Sequence, residues 1–365
     1  MRLTESAEQA ELRASVRRFL SDKADLAAVR RTMETDSGYD EAVWRQASTQ
    51  LGLPGIAIPE EYGGAGFTFV EQAIVLEEMG RALFCGPYFA SAVLAANALL
   101  LSGDDAARRA YLPGIASGDV IATLAFAEDG GAWQGDGAGL TATRDADGWR
   151  LTGHRNFVLD GHRADLVLTV ARTPEGLSLF AVTEGHTATP LPTLDQTRRL
   201  ARLEYHDTPA TLIGPADDVL PAVLDIAAVA LAAEQLGGAQ AALDMAVGYL
   251  KVREQFGRPV GSFQGLKHRA ADLLLEIEST RSAVLYASWA VAESPDELPA
   301  VASLVKAYAS DTFSHAAGEN IQMHGGIGFT WEHDAHLYFK RASFSQLFLG
   351  DPGYHREQLA ARIGV

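Results

Sequence analysis

The sequence has 365 residues, 47% hydrophobic and 21% charged, a balance that suits a large globular chain with a sizeable core and excludes a disordered or fibrous one. Its 47 acidic and 30 basic side chains give a formal charge of −17, which repels nucleic acid and anionic membranes; the densest basic run, Arg198-Arg199 with Arg202, is too small to reverse this. A single cysteine, Cys85, excludes an intramolecular disulfide, fits a reducing cytoplasm and reads as a small buried hydrophobe.

Met1-Arg2-Leu3-Thr4-Glu5 carries no apolar leader. The richest apolar stretch, Val219 to Ala233, reads as too short for a membrane span and contains Asp225, so a cytoplasmic, membrane-free protein is expected. Residues 1–118 form a first, helical zone. Leu12, Val16, Phe19 and Leu20 recur at spacings of three and four, as do the apolar residues around Ile74, Val75 and Leu83. Pro54-Gly55 and Pro59 to Gly64 mark loops within it. Residues 119–215 change character. Short β-type runs appear at Val120–Leu124, Trp149–Thr152, Leu166–Val170 and Leu177–Val182, and Asp145-Ala146-Asp147-Gly148 is a hairpin signal. Residues 216–365 are helical again, with helices expected at 225–252, 263–293, 299–323 and 332–348. This order predicts an α+β chain: an N-terminal helical domain, a middle antiparallel β-barrel or sandwich, and a C-terminal four-helix bundle.

Three segments carry chemistry. They are Arg253-Glu254-Gln255-Phe256-Gly257-Arg258-Pro259-Val260 with Gln264, then Gln322-Met323-His324-Gly325-Gly326-Ile327-Gly328, then Leu151 to Val158 ahead of Gly161. An arginine at a helix end offers a forked donor set to a diphosphate, and paired glycines let backbone N–H groups approach phosphate oxygens. His333 and His336 share a helix face, but without a third ligand no metal site is expected.

In this order the segments resemble the acyl-CoA dehydrogenase superfamily over essentially the whole chain. The resemblance implies FAD as cofactor, an acyl-CoA substrate, an electron-transfer flavoprotein as acceptor, and a dimer or tetramer. It also implies that Arg253, Gln255, Phe256, Val260, Gln264, Gln322, Gly325 and Gly326 reach the FAD of a neighbouring subunit, with Phe126, Ala127, Phe157 and Leu159 on the flavin-facing side of the middle domain. The family's reaction removes an α-proton with a glutamate while hydride leaves the β-carbon for the flavin.

The sequence departs from the family where that chemistry is done. Counting without gaps from Gly326, the usual glutamate position holds Leu349; the alternative position on the helix before Arg253 holds Ala227. Neither side chain accepts a proton. Asp351, two residues past Leu349, and Glu234, seven past Ala227 on the same helical face, are the carboxylates within reach as substitutes. The flavin-facing loop reads Ala127-Glu128-Asp129-Gly130-Gly131-Ala132, without the family's Thr and Ser, and Phe157-Val158-Leu159 lacks a hydroxyl near flavin N5. What survives is mostly the part that reaches a partner's FAD. Three functions fit: the glutamate-less subunit of a heteromeric acyl-CoA dehydrogenase, of the type acting on steroid-derived thioesters, paired with a glutamate-bearing homologous subunit; a self-sufficient dehydrogenase with Asp351 or Glu234 as displaced base; or a related flavin oxidase or monooxygenase.

Overall fold

The computed structural model describes residues 4–131, 133 and 139–365. They form two compact units. The first comprises Met1–Arg30, Phe69–Phe84 and Ala228–Val365; the second comprises Arg31–Thr68 and Cys85–Ala227. The N-terminal helical zone is therefore shared between the units, although its composition is uniform along the sequence.

The second unit is built around seven strands: β1 (Ala122–Ala125), β2 (Leu140–Arg144), β3 (Trp149–Leu159), β4 (Leu166–Thr173), β5 (Gly176–Val182), β6 (His186–Leu191) and β7 (Leu200–Pro215). Strand β4 pairs with β1, β2 and β5, and the path β2-β3-β7-β5 leads back to β4, so the sheet closes into a barrel with β6 laid on β7. Most pairs are antiparallel, as expected, but β1 and β2 each run parallel to β4. The β2–β3 hairpin turns where Asp145 to Gly148 places it: the Asp145 N–H donates to the Gly148 carbonyl at 2.9 Å, and Asp147 N–H to the Asp145 carboxylate at 2.9 Å. Inward residues alternate along the strands, and Leu151, Val158, Val167, Phe180, Leu203 and Tyr205 fill the interior.

The C-terminal part of the chain forms the helices Val219–Val252, Gln264–Glu293, Leu298–His324, Ala335–Leu347 and Pro352–Ile363. The first is 34 residues long and, by length and hydropathy, would pass for a membrane span; the apolar stretch is longer than Val219 to Ala233 suggests. Within its most apolar window, 72% of it is buried inside the protein, which accounts for the absence of a polar face. Gly325, at φ 63°, stops the Leu298–His324 helix. Within the first unit, the helix Phe69–Arg81 lies directly on the long helix: a Cβ at Gly80 would stand 1.9 Å from the Glu234 carbonyl oxygen, and one at Gly237 would stand 1.8 Å from that of Glu77. Only hydrogen fits at these two positions.

Candidate active site

Leu349, the position expected to correspond to the family's base, lies in a turn between two helices of the first unit. Leu349 follows Ala335–Leu347 with φ 65°, a left-handed conformation that costs a branched L-residue about 1–2 kcal/mol. Gly350 continues it at φ 105°. Both residues are buried, Leu349 to 4% exposure. Side chains take three carbonyls here, those of Gln346, Leu349 and Gly350. The Lys306 ammonium, with no exposed surface, donates to the Gly350 carbonyl at 2.9 Å, the Gln346 carbonyl at 3.3 Å and Ser310 Oγ at 3.0 Å. Ser310 Oγ in turn accepts from Gln235 Nε2 at 3.0 Å. His355 Nε2 lies 3.0 Å from the Leu349 carbonyl and must be the protonated nitrogen, because a carbonyl only accepts. Among the described residues the Leu349 N–H has no hydrogen-bond partner.

Burial pushes Lys306 down to about 7 against the pull of Asp351 and Asp311. Burial, and then the charge on Lys306, push His355 down to about 4. The sign of the resulting pH dependence follows directly. Between pH 6.5 and about 4 the unfolded histidine binds a proton that the folded one refuses, so stability falls as pH falls through that window. His355→Gln is expected to flatten the decline in melting temperature over this range. An undiminished acid slope in that variant, followed by calorimetry from pH 7 to 4, would assign the proton uptake elsewhere.

The two carboxylates expected as substitute bases, Asp351 and Glu234, are both engaged. Asp351 is exposed and caps Pro352–Ile363, its Oδ1 accepting the Tyr354 N–H at 2.7 Å. Glu234 is 4% exposed and accepts from Arg341 Nη1 at 2.5 Å in a buried ion pair. Ala227 is fully buried.

The two segments Arg253 to Gln264 and Gln322 to Gly326 gather at one end of the first unit. After Val252 the chain makes a two-residue hairpin, Glu254–Gln255 against Arg258–Pro259, with Phe256 and Gly257 at its tip at φ 55° and 74°. Val260 N–H closes it on the Arg253 carbonyl at 2.8 Å. Arg253, Gln255, Phe256 and Gln264 are exposed, Phe256 to 88%, and Val260 is half-buried. Among the described residues the Arg253 guanidinium has no partner. Gln264 Oε1 meets His268 Nε2 at 2.8 Å, one helical turn on. Tyr249 stacks on His324 with ring centroids 4.5 Å apart, which brings the end of the long helix beside the Gly325-Gly326 stop. Gln322, Gly325 and Gly326 are exposed, and nothing lies within 4 Å of where a Cβ would stand on either glycine. A free guanidinium and uncrowded glycines suit a diphosphate, although the Gly325 N–H itself is spent on the Gln322 carbonyl at the helix end. His333 and His336 face other partners: His333 Nδ1 accepts the Ala335 N–H at 3.1 Å and His336 stacks on Trp331.

In the second unit, Phe126 and Ala127 are buried just past β1, and the Ala127 carbonyl accepts the Asn156 N–H at 3.0 Å. Glu128 pairs with the fully buried Arg155 at 2.9 Å, while Asp129 accepts from Asn156 Nδ2 at 2.9 Å. These contacts tie the loop to β3. Phe157 stands at φ 51° in a register shift between β3 and β7, and Leu159 is buried. Ala127 and Leu159 offer no hydroxyl to a ligand, and Ala132 lies outside the described residues. Sequence reading missed Lys306 and His355. Lys306 was signalled only as a lone charge inside the apolar run Val301 to Ala309.

The first and last thirds of the chain match known descriptions: "Acyl-CoA dehydrogenase, N-terminal domain" over residues 6–119 and "Acyl-CoA dehydrogenase, C-terminal domain" over residues 218–364. The chain is 39% identical over 350 residues to acyl-CoA dehydrogenase IpdE2 of Mycobacterium tuberculosis, covering 96% of this chain and 95% of that one. Among solved structures, a variant of the Tcur3481-Tcur3483 steroid ACAD is similar at TM-score 0.88 and 34% identity, covering 98% of each chain. The ChsE4-ChsE5 complex from Mycobacterium tuberculosis is similar at TM-score 0.91 and 28% identity, covering 100% of this chain and 99% of that one. The fold and these likenesses define an oxidoreductase of a flavin-dependent class. The chain belongs to the acyl-CoA dehydrogenase family.

Proposed function

We propose that this chain is the glutamate-less subunit of a heteromeric acyl-CoA dehydrogenase. It would lend Arg253, Gln255, Phe256, Val260, Gln264, Gln322, Gly325 and Gly326 to FAD held with a glutamate-bearing homologous subunit. The observation that carries this reading is the turn at Leu349. The position of the base holds an alkyl group, and the nearest carboxylate, Asp351, is spent on a helix cap. Glu234, the other carboxylate in question, is spent on Arg341. A general base contributes roughly 10²–10⁴ in rate, so a chain without one supports little turnover on its own.

Other observations agree. The motif residues are exposed at one end of the first unit with Arg253 unpaired among the described residues, as a group serving another chain would be. Phe126, Ala127, Phe157 and Leu159 line the flavin-facing strands of the second unit without hydroxyls, so this chain's own hold on a flavin ring is weakened. A steroid ACAD and a ChsE4-ChsE5 complex among its structural relatives support a steroid-type thioester substrate and a heteromeric assembly; in this reading the assembly is a heterotetramer and an electron-transfer flavoprotein is the acceptor. FAD, when bound, supplies the hydride acceptor. This chain contributes donors to the cofactor's diphosphate and, at Leu349, a free backbone N–H of the kind that polarises an acyl carbonyl.

Purified alone, the chain is expected to hold FAD weakly and below one equivalent. Co-expressed with a glutamate-bearing homologue, it should give a yellow complex active on acyl-CoA. Full flavin occupancy and brisk enoyl-CoA formation by the lone chain, read from flavin absorbance and product analysis, would reject the reading.

A further inference from the structure

We infer that Lys306 and His355 are positioning residues: together they clamp the carbonyls of Gln346, Leu349 and Gly350 so that the Leu349 N–H stays free and fixed for a ligand carbonyl. The inference deepens the proposed function and rests on its reading of this turn as the place where a thioester carbonyl is received.

Four features lead to it. A buried backbone N–H without a partner is rare in folded proteins, and Leu349 supplies one among the described residues at 4% exposure. The backbone there is left-handed at a leucine, a conformation that persists only where its surroundings impose it. The surroundings that impose it are two side chains from different helices. Lys306 reaches in from Leu298–His324 with three donors for three acceptors, Ser310 Oγ and two carbonyls of the turn. His355 reaches back from Pro352–Ile363 with its one N–H on the Leu349 carbonyl. Finally, Gly350 is packed against the same groups, with no room for a side chain: a Cβ there would stand 2.4 Å from Tyr354 Cδ1 and 3.1 Å from His355 Nε2. Every carbonyl of the turn that these groups hold is kept from competing for the free amide, and burying an ammonium for that purpose is costly unless all its donors are used. A turn that merely linked two helices would not require a buried lysine, a histidine held in one tautomer and a strained leucine.

The test uses the full chain assembled with its partner and loaded with FAD, and crotonyl-CoA as probe. Hydrogen exchange read by mass spectrometry isolates peptides of this chain covering residues 346–351. In the wild type, crotonyl-CoA should slow exchange in that segment. Lys306→Met and His355→Leu should speed its exchange about tenfold or more, abolish the ligand protection and weaken crotonyl-CoA binding to this chain's turn about tenfold, the loss of one hydrogen bond. His355→Gln, which keeps a donor, should restore protection, and peptides from 228–245 should exchange as in the wild type. The inference is overturned if Lys306→Met and His355→Leu leave both the exchange rate and the ligand protection of the turn unchanged, or if His355→Gln behaves like His355→Leu. If the variants loosen the turn but crotonyl-CoA never protects it in the wild type, the clamp stands and the acyl reading of the turn fails.

Discussion

Arg253→Ala is expected to strip FAD from the assembled protein while leaving the chain's own stability within about 0.5 kcal/mol of the wild type. The argument is one of partners. Arg253 sits at the end of the long helix with its carbonyl holding the elbow at Val260, so the backbone has a structural task and the side chain has none among the described residues. A guanidinium that meets a diphosphate in a protein-lined groove makes charge-assisted, paired hydrogen bonds, and truncating it costs about 2–4 kcal/mol, or about 30- to 1000-fold in affinity. Arg253→Lys should fall in between, because an ammonium keeps the charge and loses the fork. Equilibrium dialysis of FAD against the complex, beside thermal melts of each variant, separates the two effects. Unaltered flavin retention by Arg253→Ala would remove the central contact from the proposed function.

The second large effect concerns Glu234 and Arg341. With side-chain exposures of 4% and 1% and an N–O separation of 2.5 Å, they form an ion pair cut off from solvent. Removing one partner strands a charge in the interior, which costs about 3–5 kcal/mol, whereas removing both is often nearly neutral. Arg341→Met should therefore lower the melting temperature by about 5–10 °C, and the double variant Glu234→Gln with Arg341→Met should recover most of that loss. A single variant as stable as the wild type would mean that Glu234 is neutral or hydrated in the folded protein. That result would return Glu234 to consideration as a proton acceptor.

Much of the architecture can be read from the residues. Apolar periodicity marks the long helices, and Asp145 to Gly148 turns the chain where it should. Strand β7 escapes notice because it is 16 residues long and carries Arg202, Glu204, Asp207 and Pro209, although Ala201, Leu203 and Tyr205 alternate inward as a half-buried strand requires. Asp351 followed by proline reads as a helix cap and a first-turn residue, and Asp351 does cap the helix Pro352–Ile363. The candidate site is less legible. Glu234 reads as a structural buried acid and is one, but Lys306 and Arg341 look like surface residues in a linear reading, because what makes a buried charge tolerable is a partner 40 to 107 positions away. No sequence rule signals that a leucine will stand at φ 65°.

Phe256 at 88% and Phe329 at 85% exposure leave two aromatic rings in water at the same end of the first unit. In the proposed assembly a partner covering them would withdraw apolar area from solvent and bind only the folded chain, so mass action would tie this protein's melting behaviour to how much of that partner surrounds it. Dilution would then act on it as a mild denaturant.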